Sequence, residues 1–154
     1  MITFDKVSKK YPLGNFALNE VSFEIDNNEF VFLVGPSGAG KTSIIKLILK
    51  EMSPTSGTIM VDDEDISSPD FHKITHLRKK IGVVFQDFKI LIDKNVFENV
   101  AVSCQIKGLL KSETKEKVKE ALSLVNLSKK EGVFPVQLSA GELQRVAIAR
   151  SIAD

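Results

Sequence analysis

The first part of the chain alternates apolar and polar residues, and two later stretches are apolar without interruption. Alternation over residues 2–7 and 18–25 predicts two half-buried strands, separated by a turn at Tyr11–Gly14. The run Phe30–Val34, rich in β-branched and aromatic residues, predicts a third strand. The run Ile81–Phe85 predicts a buried parallel strand, because a strand covered on both faces has no polar side.

Apolar residues return at helical spacing in five further stretches. These stretches are Ser43–Leu49, Phe71–Lys80, Asn95–Ser103, Ser112–Leu127 and the segment that opens at Leu138–Glu142. One more strand, Thr58–Val61, lies between the first two predicted helices and leads into a hairpin turn at Asp62–Asp65. Because strands and helices are interleaved along the chain, the pattern predicts an α/β fold.

Two clusters of potential metal ligands accompany these elements. The acidic residues Asp62–Asp65 lack the glycine and the distal glutamate of a calcium-binding loop, so we interpret them as a turn. His72 and His76 lie four residues apart on a predicted helix, but no recognisable motif nearby supplies a third zinc ligand. We therefore interpret both histidines as surface residues.

Composition narrows the range of functions. A length of 154 residues predicts one domain, and 43% hydrophobic with 27% charged residues is ordinary for a globular protein. The net charge of +1 gives no indication of nucleic-acid binding. The single Cys104 is expected to be a small core residue in a reducing compartment. The chain has no apolar stretch of membrane-spanning length and no signal-peptide pattern, so we expect any membrane role to depend on a partner.

The stretch Gly35-Pro-Ser-Gly-Ala-Gly-Lys-Thr42 lies between a predicted strand and a predicted helix. Its glycines allow a tight turn that brings backbone N–H groups against an anion, and the helix points its positive end at the same place. Lys41 is expected to bridge the β- and γ-phosphates of a nucleotide, and Thr42 to offer its hydroxyl to Mg²⁺. Such a phosphate-binding loop occurs in GTPases, small-molecule kinases and many ATPases, and by itself it leaves these classes open.

Two further stretches distinguish among these classes. Gln86 closes the apolar run 45 residues after Lys41, and Leu138-Ser-Ala-Gly-Glu142 opens a helix that continues into Arg145-Val-Ala-Ile-Ala-Arg150. In this order the chain resembles the ATP-binding subunits of ABC systems from its first residue to its last. The resemblance implies a P-loop NTPase fold with a mainly parallel sheet core, an N-terminal antiparallel β part and a helical insertion at about 87–143, all within one domain spanning residues 1–154.

The resemblance also implies a role for each matching residue. Tyr11 would stack on adenine, and Gln86 would contact Mg²⁺ and the attacking water, which makes Lys41 and Gln86 the catalytic candidates. Ser139, Gly141 and Glu142 would contact the ATP held by a second copy, in a head-to-tail homodimer that sandwiches two ATP molecules. The expected contacts from the phosphate-binding loop are Gly35, Pro36, Ser37, Gly38, Ala39, Gly40, Lys41, Thr42 and Ser43.

Within ABC proteins the chain is most similar to the FtsE-type cell-division ATPases. The similarity is carried by Val84–Lys94, with its Asp93-Lys94 pair, and by Val96–Ala101 and Phe134–Glu142. It implies an integral membrane partner of the FtsX type and a peripheral location on the cytoplasmic face of the bacterial inner membrane. The alternatives are another ABC subfamily, of the lipoprotein-release or macrolide-export type, and a module that binds nucleotide without turnover.

The resemblance further implies a strand beyond the signature helix that ends in an aspartate, which holds Mg²⁺, and a glutamate, which polarises water. The 154 residues stop before these positions. We therefore expect the chain as given to lack the C-terminal third of the domain, to hydrolyse ATP poorly, and to leave the runs 30–34 and 81–85 with unpaired edges.

Overall fold

A computed structural model describes residues 1–12 and 14–153. Leu13, within the predicted turn at Tyr11–Gly14, and Asp154 lie outside the described residues. Around Leu13, the amide of Gly14 donates to the carbonyl of Tyr11 at 2.9 Å, as a turn requires. The chain divides into two compact units, Met1–Leu77 and Arg78–Asp154.

The first unit contains a four-stranded sheet in the order β2-β1-β3-β4, and its neighbouring strands are antiparallel. The strands are β1 (Ile2–Lys10), β2 (Phe16–Ile25), β3 (Ser56–Val61) and β4 (Glu64–Asp65). The buried Phe4 in β1 faces Phe23 in β2 and Ile59 in β3, and the two phenylalanine rings stack at 4.5 Å. The strands predicted from alternation and the hairpin after β3 are thus confirmed.

Helix α1 (Lys41–Ile48) begins at the end of the glycine-rich loop, as the sequence predicted. Ile44, Leu47 and Ile48 form its buried stripe because they recur at the spacing of one helix face. A shorter helix, α2 (Ile74–Lys79), ends at the boundary between the units. His72 and His76 are both exposed.

The second unit is built on three helices that pack pairwise: α3 (Val96–Lys107), α4 (Lys111–Leu124) and α5 (Ala140–Ile152). Two short 3₁₀ turns, Ser128–Lys130 and Pro135–Gln137, connect α4 to α5. The apolar cluster between the helices includes Val100, Cys104, Val118, Leu122 and Val146. Cys104 is buried as predicted. Helix α3 runs four residues beyond the predicted Ser103, to a left-handed cap at Gly108.

The predicted strands at 30–34 and 81–85 do not form in the described part of the chain. The prediction of a parallel sheet core is wrong for this structure, whose one described sheet is antiparallel throughout. The side chains of residues 30–34 are exposed, from 45% at Leu33 to 85% at Phe30. The physical reason is that an apolar run specifies burial on two faces, whereas a strand also needs neighbours for its N–H and C=O groups, and no described strand lies alongside either run.

Within residues 1–12 and 14–153, no helix combines the length and the apolar character needed to cross a membrane.

Candidate nucleotide-binding site

The glycine-rich loop reaches helix α1 through Gly40, which occupies the N-cap position with φ of 89°. A Cβ at this position would lie 2.4 Å from the carbonyl oxygen of Ala17 and 2.8 Å from Leu18 Cδ2. Both the left-handed backbone and the close approach of β2 therefore require glycine. Because Gly40 offers no side-chain cap, the first amides of α1 stay available to an external anion.

The Lys41 ammonium lies inside the curve of the loop. Its Nζ donates to the carbonyl oxygens of Gly35 and Pro36, at 2.7 Å each. The loop residues 35–39 are exposed, so oxygen atoms of a ligand can approach the same ammonium. A lysine ammonium beside an exposed glycine-rich loop at a helix N-terminus is suited to bind phosphate.

Thr42 and Ser43 follow at the start of α1 with different surroundings. The side chain of Thr42 is exposed, which leaves its hydroxyl able to bind a hydrated cation, whereas Ser43 is buried. The hydroxyl oxygens of Ser43 and Tyr11 are hydrogen-bonded at 3.3 Å. This contact fixes the predicted adenine-stacking residue to the first turn of α1.

Tyr11 and the loop share a cavity of about 610 Å³, lined by residues 37–43 and by Asn15, Phe16 and Ala17. Sequence reasoning missed Phe16, which is 55% exposed. The Lys10 ammonium lies over its ring, 5.4 Å from the ring centroid. An aromatic residue at the start of a strand, just after Tyr11, is the signal that could have indicated it. Two aromatic residues and the glycine-rich loop with Lys41 therefore line the same cavity.

Gln86 lies in the second unit, exposed, at the start of an irregular segment. Phe88 and Lys89 both adopt left-handed backbone angles, with φ of 57° and 46°. The Arg150 guanidinium of α5 holds this segment, since it donates to the carbonyl of Lys89 at 2.9 Å and to that of Phe88 at 2.6 Å. Partial burial lowers the pKa of Arg150 from its ordinary value, but the side chain remains protonated. Sequence reasoning did not assign this role to Arg150.

Replacing Arg150 with lysine is expected to loosen the segment after Gln86, because one ammonium cannot reproduce two parallel N–H donors. Backbone amides of residues 87–90 should then exchange with solvent about tenfold faster, as measured by hydrogen–deuterium exchange. Arg145→Lys, at an exposed position of the same helix, serves as the matched control. Equal exchange in the two variants would contradict the assignment.

The predicted signature, Leu138–Glu142, forms the start of α5. Ser139 is the N-cap, and its Oγ accepts from the Glu142 amide at 3.4 Å. The Glu142 carboxylate in turn accepts from the Ser139 amide at 2.9 Å and from the Ser139 hydroxyl at 3.0 Å. Ser139, Ala140 and Gly141 are exposed, so the positive end of α5 is open to solvent.

The structure therefore assembles the predicted residues in two groups. Tyr11 lies with the phosphate-binding loop in the first unit, and Ser139, Gly141 and Glu142 lie together in the second. Gln86 is also in the second unit, on the segment held by Arg150.

Comparison with known proteins gives a family match over most of the chain. The ABC transporter family matches residues 18–154. The cell division ATP-binding protein FtsE of Bacillus subtilis (strain 168) is 50% identical over 152 residues, which are 99% of this chain and 67% of that protein. The methionine import ATP-binding protein MetN 2 of Yersinia pestis bv. Antiqua (strain Antiqua) is 42% identical over 156 residues. The chain spans about two thirds of the first relative and 48% of the second.

Solved structures agree with this match. A dimeric ATP-binding cassette in a post-hydrolysis state, bound to ADP and Pi, aligns with a TM-score of 0.88 at 34% identity and covers 99% of this chain and 69% of that one. The cbiO1 protein of Clostridium perfringens, part of an ABC transporter complex, aligns with a TM-score of 0.87 at 26% identity, over 99% of this chain and 61% of that one. The likeness to these cassettes confirms the fold class predicted from the sequence.

Proposed function

We propose that this chain, which belongs to the ABC transporter family, is the ATP-binding subunit of an FtsE/FtsX-type complex at the bacterial division site. The observation that carries the proposal is the 50% identity to FtsE over 99% of the chain, against 42% to the methionine importer subunit. The whole complex, its partner and its output are part of the proposal, as is a peripheral position on the cytoplasmic face of the inner membrane.

We assign ATP to the cavity beside α1. Tyr11, supported by the hydrogen bond to Ser43, would stack on adenine, and Phe16 offers a second aromatic surface. The backbone of residues 35–43 and the Lys41 ammonium would hold the phosphates. The Lys41 ammonium donates to two carbonyl oxygens, and on ATP binding phosphate oxygens would take their place as acceptors.

Mg²⁺ fits the donor set that the sequence implies. Thr42 and Gln86 are exposed and contribute a hydroxyl and an amide oxygen, the hard donors that Mg²⁺ prefers. Mg²⁺ keeps several waters and relies on substrate phosphates, so each of these side chains suits it in the kind of donor atom that it offers. When bound, the ion would neutralise charge on the phosphates during their transfer.

The second half of the site would come from another copy of the chain. We propose that the N-terminus of α5, with Ser139 and Gly141, faces the terminal phosphate of the ATP held by the partner, and that Glu142 supports this loop. A helix N-terminus with exposed amides and a hydroxyl is chemically suited to that role. ATP binding would then close a head-to-tail dimer, and hydrolysis would reopen it. The domain would comprise residues 1–154 with a helical insertion at about 87–143.

Members of the family hydrolyse ATP, and hydrolysis here would depend on positioning and electrostatic stabilisation by Lys41, Gln86 and Mg²⁺. The alternative of nucleotide binding without turnover is tested by comparing the steady-state ATPase rate with that of Lys41→Ala, and equal rates would favour it. A second candidate is the ATPase subunit of an importer, which the 42% identity to MetN 2 favours.

The experiment that separates these functions identifies the membrane partner. The tagged natural full-length protein is captured from detergent-solubilised membranes in the presence of ATP, and its partner is identified by mass spectrometry. We expect an FtsX-type membrane protein, at a yield that falls several-fold in the Lys41→Ala variant because closure depends on bound nucleotide. Capture of an importer permease instead would overturn the cell-division assignment and leave the family assignment intact.

A further inference from the structure

An ion pair lies directly beside the proposed signature. Lys130, the last residue of the first 3₁₀ turn, places its Nζ in contact with Oε1 of Glu142. The Glu142 side chain is only 18% exposed, and that of Lys130 is 39% exposed. The other carboxylate oxygen, Oε2, accepts from the amide and the hydroxyl of Ser139. Both oxygens of Glu142 are therefore engaged, one by the signature serine and one by Lys130.

This arrangement places a full negative charge in the first turn of the helix that would receive an anion. The hydrogen bond from Lys130, followed by those from Ser139, lowers the pKa of Glu142 from 4.5 to about 2. The carboxylate is thus ionised at every physiological pH. A carboxylate and a phosphate at the same helix N-terminus repel each other unless a cation neutralises one of them.

The box at α5 differs from the one at α3 in how closely a lysine holds the glutamate. At α3, Oε2 of Glu98 accepts from the Asn95 amide at 2.9 Å, and the Lys94 ammonium lies 3.8 Å from Oε1 of a side chain that is 43% exposed. At α5, Lys130 is in contact with Oε1 of a Glu142 side chain that is only 18% exposed. The α5 cap is already closed through Oε2, so this closer lysine adds charge compensation to a less exposed carboxylate.

We propose that Lys130 is a positioning residue for the signature: it neutralises Glu142 and holds that carboxylate against Ser139, so that the N-terminus of α5 can accept the terminal phosphate of an ATP. The inference rests on the proposed function, since it requires that a phosphate approach this helix. Lys130 would compensate the negative charge of Glu142, and an uncharged residue at position 142 would need no such compensation.

The test measures the ATP concentration at half-maximal dimer closure, by light scattering, for the natural full-length protein. We expect Lys130→Met to raise this concentration about threefold to fivefold, the size of a charge interaction at a helix terminus. Glu142→Gln removes the carboxylate charge, while glutamine can still accept from the Ser139 amide, and it serves as the charge-free reference for the double variant. The matched control is Lys129→Met, which removes the neighbouring exposed lysine and should have no effect.

The double variant Lys130→Met with Glu142→Gln separates charge compensation from a merely structural ion pair. If Lys130 neutralises Glu142, the double variant should close at the same ATP concentration as Glu142→Gln alone. An unchanged midpoint in Lys130→Met, or a double variant that closes only at a higher ATP concentration than Glu142→Gln alone, would overturn the inference. If the wild type does not form a closed dimer with ATP, the proposed function fails together with this inference. A wild type that closes, with variants that do not behave as expected, overturns the inference alone.

Discussion

Lys41→Ala is expected to weaken ATP binding by about tenfold to a hundredfold, which is the effect of removing a charged hydrogen-bond donor from a phosphate site. The reason lies in the position of the ammonium, which is held inside the loop by the carbonyls of Gly35 and Pro36. Without it the loop keeps its amides but loses the charge of the ammonium group. Isothermal titration with ATP measures the change directly.

The matched control for this variant is Lys46→Ala, which removes an exposed lysine from the last turn of the same helix. It changes the net charge equally and leaves the loop untouched, so its affinity for ATP should equal that of the wild type. A thermal unfolding curve for each variant separates lost affinity from lost structure. Equal affinities in the wild type and Lys41→Ala would refute the assignment of this loop.

Local sequence signals predicted the glycine-rich loop and the helix that follows it. The order of glycines, lysine and threonine determines the loop, and the helix after it begins where the glycines end. The cap at Ser139 was likewise readable as a helix start, since serine followed three residues later by glutamate forms a capping box. Both features depend on residues within a few positions of each other, which is the range over which sequence patterns are reliable.

The features that sequence reasoning missed involve residues far apart in the chain. Residues 30–34 have the composition of a strand, yet strand formation depends on a neighbour that no local pattern specifies. Arg150 reaches back 62 residues to the carbonyl of Phe88, and Lys130 contacts Glu142 across the second 3₁₀ turn. Charged residues are ordinarily solvated, so the residues next to Arg150 or Lys130 in the sequence do not indicate these contacts.

Asn99, which is fully buried in the helical unit, was also missed, although its side-chain contacts lie within eight residues along the chain. Its Oδ1 accepts from the Leu91 amide at 2.8 Å. Its Nδ2 donates to the carbonyl oxygens of Leu91 and Lys94, at 2.9 Å each, and to that of Asn95 at 3.0 Å. One side chain therefore satisfies the backbone of the loop that connects the Gln86 segment to α3.

Asn99→Leu is expected to destabilise the protein by about 1–3 kcal/mol, because the Leu91 amide loses its acceptor and the Lys94 carbonyl loses the Nδ2 donor. Leucine has a similar volume, so loss of packing contributes little. Urea denaturation of the natural full-length protein measures the effect, with Gln105→Leu at an exposed position of α3 as the control for a lost amide. A loss no greater than that of the control would show that the loop finds other partners. The expected loss would establish that Asn99 holds the approach to Gln86 in place.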